Sequence, residues 1–177
     1  MLLTLIGYRA TGKTTLAKLV AERLGWPWAD SDDEVERRAG KSIARIFAED
    51  GEPAFRELEA AVIADLCRRD RLVLATGGGA PLRPESRRAM REAGKVVWLR
   101  AEPLAILARL EDDDWTADHR PPLSDSGPVR EIMQFLQART PIYQELADMV
   151  IDTDARKPDE LAEEIIASCN LQSKVVT

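Results

Sequence analysis

Cysteine, histidine, excess positive charge and long apolar runs are all scarce in this chain of 177 residues. Cys67 and Cys169 are its only cysteines, far apart and outside any CxxC or Cys/His grouping, which supports neither a disulfide framework nor a zinc site. Both are expected to be buried or inert thiols in a reducing cytoplasm, and the expected location is cytoplasmic. Lys and Arg number 25 against 31 Asp and Glu, a net charge of −6, and the acids are spread along the chain rather than gathered in a tail. That balance offers no nucleic-acid surface. It also repels anions at long range, so an anionic substrate would have to be caught by local arginines. No stretch reaches the length of a membrane span, and the apolar opening Met1 to Ile6 lacks the basic flank and the length of a secretory signal. No membrane partner is expected. Internal repeats, low-complexity tracts and linkers are missing as well.

What is present is the composition of a folded protein, 45% hydrophobic and 32% charged, at a length that suits one α/β domain and is too short for two. Leu2, Leu3, Leu5 and Ile6 form a continuous apolar run ending at Gly7, the pattern of a strand buried on both faces of a parallel sheet. Leu16, Leu19, Val20 and Leu24 then recur at helical spacing and stop at Gly25. Further apolar segments at Trp26 to Ala29, Leu72 to Ala75, Val96 to Leu99 and Met149 to Ile151 read as strands, with helical patterns between them. Phe55, Leu58, Val62 and Leu66 mark one helix face packed on the sheet, so Phe47 and Phe55 read as core rather than as stacking groups. Strand alternating with helix implies right-handed crossovers and a mainly parallel sheet.

Between the first strand and first helix stands Gly7-Tyr8-Arg9-Ala10-Thr11-Gly12-Lys13-Thr14, a match to G-x-x-x-x-G-K-S/T in the context that the motif requires. Glycines let backbone N–H groups curl round phosphates, the helix N-terminus adds its dipole, and Lys13 brings a point charge to the terminal phosphates. Thr14 offers a hydroxyl to Mg²⁺. The reaction class expected is transfer of a nucleotide's terminal phosphoryl group to a small molecule. Asp30-Ser31-Asp32-Asp33 ends the next strand, on the side of the sheet where ligands sit. One carboxylate could hold the magnesium shell while another faces the attacking hydroxyl. A helix N-cap explains one acid equally well, and the spacing leaves the two readings even. Gly77-Gly78-Gly79 directly follows a strand, where backbone can approach a ligand or simply turn. The stretch from Asp112 to Gly127 is a long polar loop of the length used for lids. Its His119, the only histidine, has no specified carboxylate partner and reads as solvated, as do Asp112 to Asp114.

Taken in order, the phosphate loop, Asp30-Ser31-Asp32, Phe55-Arg56, Gly77-Gly78-Gly79, Arg120-Pro121 and Arg139 with Tyr143 resemble the shikimate kinases, from Met1 to about Ile166. The resemblance implies a three-layer α/β P-loop fold: a five-stranded parallel sheet in the order 2-3-1-4-5, flanked by helices, with a lid loop. It implies a substrate-binding helical region at about 31–60 and a lid at about 111–127 within the one kinase domain, residues 1–168, that the length suggests; residues 169 to 177 read as a loose tail, and a monomer is expected. ATP and Mg²⁺ would be the cofactors and shikimate the partner, phosphorylated to shikimate 3-phosphate in aromatic amino-acid biosynthesis. Gly7, Ala10, Thr11, Gly12, Lys13, Thr14 and Thr15 would hold ATP. Thr14 and, through water, Asp30 would hold the metal. Asp32 would face the reacting hydroxyl, Arg56 and Arg139 would clamp the carboxylate, and Gly77, Gly78 and Gly79 would line the ring. Lys13, Asp32 and the lid arginine Arg120 would be catalytic, with Arg120 also on ATP. Arg109 matches the position that stacks on adenine, although a solvent-facing helix arginine is an equal reading. The lid departs from the usual Arg-Pro-Leu-Leu in reading Arg120-Pro121-Pro122-Leu123, which adds a fixed φ and removes a donor. A gluconate kinase and a catalytically idle nucleotide-binding relative are the alternatives.

Overall fold

The structure is a computed structural model, and it describes residues 1–111 and 127–171. Five strands, β1 (Leu2–Ile6), β2 (Trp28–Asp30), β3 (Leu72–Ala75), β4 (Gly94–Arg100) and β5 (Met149–Asp152), form one sheet in the order β2-β3-β1-β4-β5. Every neighbouring pair is parallel. Among the described residues the helices are α1 (Lys13–Leu24), α2 (Ser31–Ala39), α3 (Ile43–Glu49), α4 (Gly51–Leu66), α5 (Pro84–Ala93), α6 (Pro103–Glu111), α7 (Pro128–Leu146) and α8 (Pro158–Ser168). A 3₁₀ turn at Ala80–Leu82 links β3 to α5.

β1 is central and wholly buried, and its alternation divides the core into two layers. Leu3 and Leu5 join Leu16, Val20 and Leu24 of α1 and Leu161 and Ile165 of α8. Leu2 and Ile6 join Val62, Ile63 and Leu66 of α4, Met90 of α5 and Tyr143 of α7 on the other face. Covered on both sides, β1 reads as an unbroken apolar run, as parallel strands do.

Two of the boundaries that differ from the sequence reading are moved by the same local motif. β2 begins at Trp28, not Trp26, because Gly25 takes a left-handed conformation (φ 65°) and Trp26 N–H bonds back to Ala21 at 2.9 Å. Trp26 thus completes the end of α1. At the end of α8, Asn170 is left-handed (φ 52°), and Leu171 N–H returns to Ile166 at 3.0 Å. Cys169 and Leu171, expected in a loose tail, are thereby turned onto the α1–α8 core and buried. Asn is one of the few side chains that tolerates this turn.

Candidate active site

The phosphate loop runs from the end of β1 into α1 through three residues with positive φ: Gly7 (144°), Ala10 (59°) and Gly12 (89°). A Cβ on Gly7 would stand 2.4 Å from the Leu99 carbonyl oxygen, so this glycine is needed for close approach. Ala10 holds the left-handed conformation without being glycine, a strain on the order of 1 kcal/mol. Lys13, the first residue of α1, is buried, and its Nζ donates to the Tyr8 carbonyl at 2.6 Å. Thr11 Oγ1 donates to the same carbonyl at 2.8 Å. Thr15 is exposed on the first turn of α1.

Asp30 closes the loop from the side. Its Oδ2 accepts from Thr14 Oγ1 at 2.7 Å, and its Oδ1 caps α2 by accepting from Asp32 N at 2.9 Å. The two readings of this acid are therefore not exclusive: one oxygen caps the helix while the other meets the phosphate-loop hydroxyl. Ser31 accepts from Gly77 N–H at 2.8 Å and ties the acidic segment to the glycine turn after β3. Asp33, beside them, has its carboxyl raised by partial burial and by the charge of Asp30.

Next to the phosphate loop lies a cleft of about 130 Å³ whose wall includes Asp32, Arg56, Glu59, Gly77, Gly78, Gly79 and Arg139. Gly77 and Gly79 stand where a side chain would collide with a neighbouring group, and Gly78 stands where one would be tight. A Cβ on Gly77 would lie 2.4 Å from Asp32 Oδ1, and one on Gly79 would lie 2.3 Å from Arg56 Nη1. One on Gly78 would lie 3.2 Å from the Gly7 carbonyl. Tyr143, buried in α7, donates its hydroxyl to the Gly78 carbonyl at 2.6 Å, and burial raises its phenol above the usual value. Gly77 and Gly79 thus pack closely against the charged groups of Asp32 and Arg56. Phe55 is core, as expected, but it also lines the cleft together with Phe47, the two rings 4.7 Å apart.

Glu59, which sequence reasoning passed over, is 2% exposed and accepts from Arg56 Nη1 at 2.8 Å. Burial works against the Arg56 charge, but Glu59 and Glu52 outweigh it and leave the guanidinium pKa raised. Spacing held the signal, since residues three apart share a helix face. Its burial depends on β3 and the glycine turn arriving above it.

Arg109 of α6 is pinned by hydrogen bonds and does not simply face solvent. Nη1 donates to the Ala10 carbonyl at 3.3 Å and Thr153 Oγ1 at 3.1 Å, and Nη2 donates to the Thr153 carbonyl at 3.1 Å. It thus joins the phosphate loop to the segment after β5. Arg120, His119, Pro122, Asp112 to Asp114 and most of the lid range lie outside the described residues. No cluster of three or more His, Cys, Asp or Glu suited to a metal occurs among the described residues.

A phosphate loop at the carboxyl end of β1, with a small cleft lined by charged groups and rings beside it over the ends of β2 and β3, defines a P-loop kinase of small molecules. The comparisons narrow this class: the shikimate kinase family matches residues 9–170, and the chain belongs to that family. The shikimate kinase of Rhodopirellula baltica is 45% identical over 164 residues, 93% of this chain and 88% of that protein. The shikimate kinase of Pseudomonas savastanoi pv. phaseolicola is 46% identical over 165 residues, covering 93% and 94%. A solved structure of the Acinetobacter baumannii shikimate kinase in complex with shikimate superposes with a TM-score of 0.88 at 36% identity, covering 97% of this chain and 95% of that one. Gluconate kinase is accordingly the less favoured reading.

Proposed function

We propose that this protein transfers the γ-phosphoryl group of ATP to shikimate, giving ADP and shikimate 3-phosphate in the biosynthesis of aromatic amino acids. The observation that carries the proposal is the cleft itself, where Asp32, Arg56 and Arg139 converge around three close-packed glycines beside the phosphate loop. A small acid bearing hydroxyls fits this set: two guanidinium groups match a carboxylate, and one carboxylate remains for a hydroxyl.

Lys13 would exchange the Tyr8 carbonyl for the β- and γ-phosphates, with the backbone N–H groups of Ala10 to Thr14 and the α1 dipole completing the cradle. Thr14 and Asp30 bring two hard oxygens together at 2.7 Å, a donor pair that fits Mg²⁺, with Asp30 acting through water. Held there by Thr14 and Asp30, such an ion would supply positive charge against the negative charge of the nucleotide's phosphates. Thr15 follows on the same turn, within reach of the phosphates. Asp32 would orient the acceptor hydroxyl and take its proton late. A loose transition state asks no more of it than that. Arg56 and Arg139 would bind the acceptor carboxylate. Arg109, pinned above Ala10, would present its plane to adenine, and Arg120 would close on the phosphates and exclude water. We further infer a cytoplasmic monomer, with a kinase domain reaching Leu171.

The test is ADP release from Mg-ATP with shikimate, beside gluconate, quinate and a no-acceptor control. Stimulation by shikimate alone is expected. Absence of stimulation by any of these would move the assignment to another acceptor or to an idle nucleotide-binding relative, and stimulation by gluconate alone to a different kinase.

A further inference from the structure

Tyr8 follows the first glycine of the phosphate loop, and neither the loop motif nor the assignments above give its side chain a task. Its backbone carbonyl carries Lys13 and Thr11. Its ring is 2% exposed, buried with Ala101 after β4, Ile106 of α6 and Ile132 of α7. The guanidinium carbon of Arg139 lies 5.6 Å from the centre of that ring and 4.9 Å from the ring of Phe135. The two rings are themselves 6.4 Å apart, so aromatic groups from two different elements flank the arginine. Arg9 also stands 5.7 Å from the Tyr8 ring, with Glu131 3.9 Å from its guanidinium. The Tyr8 hydroxyl, by contrast, is buried with no hydrogen-bond partner among the described residues. The contacts that reach the acceptor cleft are those of the ring.

We propose that Tyr8 is a positioning residue for recognition of the acceptor's carboxylate: its ring holds the Arg139 guanidinium in the cleft and fastens it to the loop that binds phosphate. An arginine left to its rotamers would lose that freedom only on binding, at a cost in affinity, whereas one held by a ring face meets the anion already ordered. One residue thereby serves both substrates, with its carbonyl on the phosphate-binding lysine and its ring on the acceptor-binding arginine. The inference rests on the reading of shikimate as acceptor.

The experiment compares wild type, Tyr8→Leu and Tyr8→Phe in steady-state kinetics with shikimate and with its uncharged methyl ester. Tyr8→Leu should lower kcat/KM for shikimate about three- to tenfold more than for the ester, through KM for shikimate rather than KM for ATP. Tyr8→Phe, which keeps the ring, should restore the wild-type preference for the acid. Equal losses on both acceptors would mark a merely structural role and overturn the proposal, as would a Tyr8→Phe variant no better than Tyr8→Leu. Wild type that prefers no shikimate over the ester, or does not phosphorylate it, would overturn the acceptor assignment itself before any variant is compared.

Discussion

In the glycine turn after β3, single residues are constrained more by what stands opposite them than by their own conformation. Gly79 has φ −90° and ψ −15°, values open to any residue, yet a Cβ there would meet the guanidinium of Arg56. Gly79→Ala should therefore leave the fold intact, because the obstructing group is the free end of a long side chain. It should raise KM for shikimate about tenfold by displacing a charge-assisted contact, with KM for ATP little changed. Thermal melting beside kinetics checks this, and a loss of folding stability without a change in KM would refute it. Arg56→Ala should weaken shikimate binding by at least as much and leave ATP binding nearly intact, but it also strips a partner from buried Glu59 and should lower stability. Equal loss of both substrate affinities would count against the role given to Arg56. Lys13→Ala should abolish most turnover, read as kcat with both substrates saturating. The phosphate loop was legible because its spacing between a strand and a helix is tied to one chemical task, whereas spacing left Asp30, Asp32 and the glycines open and the resemblance singled them out. Glu59 and Tyr8 were not, since a glutamate three residues from an arginine usually meets solvent, and a tyrosine beside a glycine announces no partner.

At the scale of elements, strand identity was legible from apolar runs, but strand ends were not where a helix terminus reached past its last periodic residue. Gly25-Trp26 and Asn170-Leu171 are the same device, a left-handed residue followed by an apolar one that docks on the core. The first glycine was recognised as a helix stop and its tryptophan was not. Asn170 drew no attention, which is why residues after 168 read as loose. Gly94 illustrates a constraint between elements that no local pattern reveals. It pairs with Leu2 across β1 and β4, and a Cβ on it would stand 2.0 Å from the Leu2 carbonyl oxygen. Neither backbone can yield without opening the centre of the sheet. Gly94→Ala should cost roughly 1–3 kcal/mol, which at this size lowers Tm by about 3–10 °C. Calorimetry showing an unchanged Tm would mean that the sheet accommodates the methyl group.

Across the whole molecule, strand order came from family resemblance alone, because an apolar run says that a strand is buried without saying which neighbours bury it. The net charge of −6 was legible and so was its corollary that arginines must gather locally, as Arg56 and Arg139 do at the cleft. Acid stability also belongs to this scale, since the carboxylates are distributed and several are held by cations. Glu34 accepts hydrogen bonds from Arg37 and Arg38, which hold its carboxyl at about 2 rather than the ordinary 4.5. Arg38 also reaches Asp65, so the cluster fastens α2, which begins at Asp32's own turn, to α4, which carries Arg56. A carboxylate whose pKa is lower folded than unfolded stabilises the fold fully above its unfolded pKa. That contribution shrinks as pH falls through the interval from about 4.5 to about 2. Glu49, Asp70 and Asp152 are depressed by their own cationic partners and act in the same direction. Asp33, raised by burial, acts in the opposite one. Glu34→Gln should therefore be less stable than wild type near neutrality by about 1 kcal/mol, a figure reduced for the solvent-exposed Arg37. The two proteins should converge as pH approaches the folded pKa of Glu34. Urea titrations across that range decide the matter: a difference that stays constant with pH would show that the glutamate acts through packing of α2 and not through its charge.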